Sequence, residues 1–171
     1  GQVRNLTTAG AVTIGSIDIN STALRAGGKK FSVGHTTTLG SVIDATGNNQ
    51  LLDVDVTAAA ALTLNGTAGK NVNNNNIAAD QYSGLGDVTF RNMNAKFVVH
   101  TAAPVTLMGT IKSDGGSAGG LIICSGVKNT VTFAGSIGGA RAVNSLATIE
   151  IGHIGSKEGN ALFKEIVGAD A

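Results

Sequence analysis

Pro104 to Gly109 reads P-V-T-L-M-G, and the recurrence of that phrase decides the fold. Ala61 to Gly66, 43 residues earlier, reads A-L-T-L-N-G; Ala147 to Gly152, 43 residues later, reads A-T-I-E-I-G. A second phrase keeps the same interval: D-V-T-F-R-N at Asp87 to Asn92 returns as T-V-T-F-A-G at Thr130 to Gly135. Within the interval the V-T-Φ phrases are unequally spaced. Leu62 to Val88 is 26 residues, Val88 to Val105 is 17, and Val105 to Val131 is 26 again. Periods of this size signal stacked supersecondary units, none of which buries its apolar side alone.

Composition points the same way. The 171 residues are 42% hydrophobic but only 4% aromatic, so the core is built from Val, Ile, Leu and Ala. β-Branched residues favour strands, and 25 Gly with abundant Asn supply positive-φ turn positions. Strands of four to six residues divided by single glycines, as at Gly34, Gly40 and Gly47, are short for a two-sheet sandwich. The expected fold is all-β: a parallel β-helix of roughly eight coils, two coils of ~21 residues to each 43-residue repeat, with residues 1–171 forming one segment and no internal domain boundary. Coils stacked ~4.8 Å apart would make a rod about 40 Å long with open strand edges at both ends. Val88, Phe90, Val105, Leu107, Val131 and Phe133 are expected to point inward, Thr89, Thr106 and Thr132 outward, and Gly109 to turn a corner. A sandwich or barrel would explain the strands but not the recurrence.

The formal net charge of +1 gives no field to steer the chain toward nucleic acid or anionic lipid. No run of ~18 apolar residues predicts a membrane-spanning helix, and the opening G-Q-V-R-N-L-T-T is too polar for a signal peptide. Cys124, alone in L-I-I-C-S-G, reads as a buried inert thiol. His35, His100 and His153 show no metal-ligand spacing, and Gly69-Lys70 lacks the rest of a phosphate loop. No cofactor or metal is expected.

Asp53 and Asp55 in L-D-V-D-V share one strand face and form the best carboxylate cluster. They read either as an acid/base or calcium pair or as a solvated strand face. Lyases and hydrolases built on β-helices set Asp beside Lys or Arg on adjacent coils, and no basic residue stands near this pair in sequence. The solvated face is the expectation.

Two stretches interrupt the strand pattern. Asn65 to Ser83 holds four consecutive asparagines, and Asp114 to Gly120 reads D-G-G-S-A-G-G. Both are expected to protrude as loops. Asn73, Asn74, Asn75, Asn76, Asp80, Tyr82 and Asp114 are the candidate partner-binding residues.

V-T-F-A-G-S-I-G-G at Val131 to Gly139, followed by A-R-A-V-N-S-L at Ala140 to Leu146, carries a resemblance to a known family. With L-T-L-N-G and V-T-L-M-G-T-I, these phrases resemble the passenger regions of rickettsial surface-antigen autotransporters, of the outer-membrane protein B type. The resemblance is closest over residues 60–156. It implies right-handed winding, type V secretion to the bacterial surface, and a signal peptide and C-terminal transporter barrel outside this stretch. It also implies a role in adhesion to host cells through a host-surface protein, and virulence. It brings no catalytic residues, so the chain is expected to be a structural and adhesive stalk and not an enzyme. The alternative is a polysaccharide-active β-helix enzyme.

Overall fold

Alternating apolar and polar residues in short runs make strands here, and glycine or small polar residues turn the chain between them. The computed structural model describes residues 5–7, 10–18, 30–43, 52–65, 84–101, 103–114, 119–123, 130–138, 146–152 and 159–164. These contain β1 (Asn5–Thr7), β2 (Val12–Asp18), β3 (Lys30–Val33), β4 (Thr37–Ile43), β5 (Leu52–Val56), β6 (Ala61–Leu64) and β7 (Leu85–Phe90). They continue with β8 (Lys96–Val99), β9 (Val105–Leu107), β10 (Ile111–Ser113), β11 (Gly120–Ile123), β12 (Thr130–Phe133), β13 (Thr148–Ile151) and β14 (Asn160–Phe163).

Successive strands do not pair with one another. They join three parallel sheets in rotation: β1-β3-β5-β7-β10 in sheet 1, β2-β4-β6-β8-β11-β13 in sheet 2, and β9-β12-β14 in sheet 3. All named pairings are parallel. The chain is a parallel β-solenoid. About three turns visit all three faces: β7-β8-β9, then β10-β11-β12, then a parallel bridge from Ile137 to Ile111 followed by β13 and β14. The strands before β7 alternate between sheets 1 and 2 alone among the described residues.

Parallel in-register pairing sets like residues on like, so each face sends apolar columns inward. In sheet 1, Phe31, Val54, Val88 and Ile111 lie in one register line, all 2% exposed or less. In sheet 2, Leu62, Phe97 and Leu121 form another, and Leu64, Val99 and Ile123 a third. In sheet 3, Val105 and Leu107 stack under Val131 and Phe133, and the Phe133 and Phe163 rings are stacked at 5.2 Å. Burying each large apolar side chain contributes about 1.5–3 kcal/mol, and the columns merge into one core along the axis.

The inward positions expected from the sequence are therefore observed: Val88, Phe90, Val105, Leu107, Val131 and Phe133 are all buried. The 43-residue repeat is not the period of the stack. A-L-T-L is β6 in sheet 2, V-T-L is β9 in sheet 3, and T-I-E-I is β13, back in sheet 2. D-V-T-F lies in sheet 1, whereas T-V-T-F lies in sheet 3. What stacks on Val105 is Val131, and the neighbouring Thr110 and Ser136 hydroxyls approach to 3.4 Å at a separation of 26. The same inward-outward-inward phrase serves every face, so its recurrence does not say which copies touch. Coils of ~21 residues are likewise too short. Asp87 and Thr110 meet at a separation of 23, Asp53 and Asp87 at 34. The long coil holds Asn65 to Ser83 between β6 and β7.

Three glycine contacts shape the corners and bends. β2 is one strand running through Gly15, paired along its length with β4 on either side of Gly40. A Cβ on Gly40 would lie 1.9 Å from the Gly15 carbonyl oxygen, so the two backbones approach where a side chain would hold them apart. At the corner between sheets 3 and 1, a Cβ on Gly109 would lie 2.0 Å from the Gly86 oxygen, and one on Gly135 would lie 2.3 Å from the Gly109 oxygen. Gly109 does turn a corner, as the sequence suggested, and it does so pressed between Gly86 of β7 and the bend at Gly135. Ala58, Ala59 and Ala60 lie at the corner between sheets 1 and 2: β5 ends at Val56 and β6 begins at Ala61.

Candidate functional site: a polar cleft on sheet 1

The outer surface of sheet 1 gathers the charged residues of β5, β7 and β10. Their side chains line a cleft of about 360 Å³ formed by Asp53, Asp87, Thr89, Arg91, Lys112, Ser113 and Asp114. A β-bulge makes it. Leu52 pairs with Leu85 and Val54 with Val88, so Asp53 stands opposite two residues, Gly86 and Asp87. The bulge interrupts the backbone ladder, and an aspartate repairs it. The Asp87 amide donates to Asp53 Oδ1 at 2.9 Å, and the Thr110 amide donates to Asp87 Oδ1 at 2.8 Å. With the Thr110–Ser136 hydroxyl contact, a line of polar groups climbs the corner beside the glycines.

A second line of charge runs alongside. Arg91 Nε donates to Asp55 Oδ2 at 2.8 Å, and Arg91 Nη1 pairs with Asp114 Oδ2. One guanidinium thus ties β5 to the residue that follows β10. Lys112 Nζ lies 3.6 Å from Asp87 Oδ2. The Asp55 side chain is 11% exposed, whereas Arg91 and Asp114 are 37% and 54% exposed, so solvent screens the clasp and it contributes only about 0.2–1 kcal/mol per pair.

No basic residue stands near Asp53 and Asp55 in sequence, but the fold brings one to Asp55, and the solvated face expected for the pair is corrected at Asp55, which is buried. Arg91 reaches Asp55 from 36 residues away, and Lys112 enters the cleft from the next rung. The coil length brings them together. Chemically, the cleft offers three carboxylates against two cations, with no aromatic platform in its lining. Asp53 acts as a backbone acceptor and Asp55 as an ion-pair partner. Among the described residues no group of three or more His, Cys, Asp or Glu could hold a metal ion. The hydrogen-bonding role of Asp53 has a direct consequence. Asp53→Asn keeps an acceptor oxygen and is expected to change stability by under about 0.5 kcal/mol, whereas Asp53→Ala strands the Asp87 amide and costs about 1–3 kcal/mol, measured by urea unfolding.

Of the candidate partner-binding residues, Asp114 is placed at the rim of this cleft, paired with Arg91. Asn73, Asn74, Asn75, Asn76, Asp80 and Tyr82 lie outside the described residues, as do Cys124 and His153. The ends of the first predicted loop are described. The Asn65 amide donates to the Leu39 carbonyl and the Gly84 amide to the Val42 carbonyl, so both ends are held by one strand, β4, three residues apart. The second predicted loop, Asp114 to Gly120, is partly scaffold. Gly119 packs so closely on the Phe90 ring that a Cβ would come within 2.4 Å of it, and Gly120 is the first residue of β11. His35 is exposed and His100 half-buried. The described part of the chain holds no helix long and apolar enough to cross a membrane, which leaves β-barrels untouched.

Comparison with known proteins gives two relatives of one kind. Over 137 residues, 78% of this chain, it is 36% identical to outer membrane protein A of Rickettsia rickettsii. Over 102 residues, 58% of the chain, it is 36% identical to outer membrane protein A of Rickettsia conorii. The chain spans about 6% and 4% of the length of these relatives. No family model and no solved structure matches. The similarity supports kinship with rickettsial surface antigens, and the relatives found are outer membrane protein A rather than the outer-membrane protein B type that the phrases suggested.

Proposed function

We propose that the chain is a surface-exposed segment of an autotransporter passenger on the bacterial outer membrane, a structural stalk that presents loops to a protein on the host cell. One observation carries the reading: a parallel solenoid whose sequence is 36% identical to stretches of rickettsial outer membrane protein A. The rotation of strands through three sheets builds length along an axis, and the polar groups of its cleft engage one another. Such a body suits reach and presentation better than turnover. In this reading the solenoid winds right-handed, as parallel strand crossovers do in almost all cases. It is one segment of a longer passenger solenoid. A C-terminal barrel exports the whole by type V secretion, and adhesion makes the protein a virulence factor. The segment itself neither inserts into membrane nor binds nucleic acid.

Contact with the host surface falls to the loops, foremost residues 66–83 with Asn73 to Asn76, Asp80 and Tyr82. Because both ends of that stretch are held on β4, replacing residues 66–83 with a short Gly-Ser link should leave the solenoid folded. The far-ultraviolet circular dichroism should stay β-type and the apparent Tm should stay within a few degrees. Binding of the purified segment to host cells should be lost. Binding that persists with the β spectrum intact would remove the loop from the proposal.

A polysaccharide-active enzyme is the second reading, favoured by the arrival of Arg91 and Lys112 beside Asp53, Asp87 and Asp114. Turnover of uronate or neutral polysaccharides that disappears in an Asp53→Asn/Asp55→Asn variant would establish it. A stalk has no turnover to lose.

A further inference from the structure

We draw no further inference here: the strongest candidate, the apolar edge that β13 and β14 leave at the C-terminal end of the solenoid, where Ile151 and Leu162 stand half exposed, carries nothing because nothing in the structure shows what covers it.

Discussion

Gly109→Ala is expected to lower the apparent Tm by about 6–12 °C, the equivalent of about 3 kcal/mol in a chain of this size. The added methyl would sit 2.0 Å from the Gly86 oxygen, 2.1 Å from its carbonyl carbon and 2.5 Å from the Asp87 nitrogen. All three are backbone atoms, so no rotamer change relieves the contact. The Asp87 carboxylate bonded to the Thr110 amide ties β7 to the same corner, and Gly135 closes on Gly109 from the other side. Separating the rungs at this corner therefore breaks the polar line as well. Gly40→Ala should behave similarly against the Gly15 oxygen. Gly15→Ala is the control. Its Cβ meets nothing within 4 Å, and the substitution should leave the melting curve almost unchanged. Equal effects at Gly15 and Gly40 would mean that glycine acts there through chain entropy and not through close stacking.

Phe97→Ala is expected to cost about 3–5 kcal/mol in chemical unfolding. Phe97 is fully buried in β8, in the same register line as Leu62 on one side and Leu121 on the other. Truncation opens a void in the middle of the longest sheet, and a stack held from both sides collapses poorly into it. In a solenoid the damage passes to the neighbouring rungs, because each rung is supported only by those beside it. Met93→Ala provides the contrast. Met93 is 67% exposed at the turn between β7 and β8, and its removal should register within about 0.5 kcal/mol. A broad, multi-step loss for Phe97→Ala would locate the least cooperative joint of the stack at β8.

Much of the architecture was legible in the sequence, because a strand phrase carries its own inward and outward positions. Val105-Thr106-Leu107 and Val131-Thr132-Phe133 announce their inward positions and the turn at Gly109, although Thr89 and Thr106, expected to face outward, are buried at 7% and 6% exposure. What such a phrase lacks is an address. Sheets 1, 2 and 3 all use the same phrase, so A-L-T-L and V-T-L match in text while lying on different faces. The spacing of 26 between Val105 and Val131 was visible, and it is the one that stacks. A further corner pattern went unread: Gly86-Asp87-Val88, Gly109-Thr110-Ile111 and Gly135-Ser136-Ile137 lie on successive rungs, each a glycine, a short polar residue and an inward β-branched one. The cleft was legible only in half. Alternation alone puts Asp53 and Asp55 on one face. That Arg91 reaches Asp55 and Lys112 reaches Asp87 follows from coil lengths of 34 and 23 residues, which no local pattern shows. β2 runs through Gly15, and Gly40 on the neighbouring strand lets the backbones close there.

The decisive test of the account is which residues touch across the rungs. In a background carrying Cys124→Ala, a Thr38→Cys/Thr63→Cys pair places thiols on Cα partners of adjacent strands in sheet 2. A Thr63→Cys/Thr106→Cys pair places them at the 43-residue spacing, on sheets 2 and 3. Mild oxidation of the folded protein should cross-link the first pair nearly completely and leave the second reduced, read by peptide mapping under non-reducing conditions. Cross-linking of the Thr63/Thr106 pair with none at Thr38/Thr63 would contradict the three-faced parallel stack.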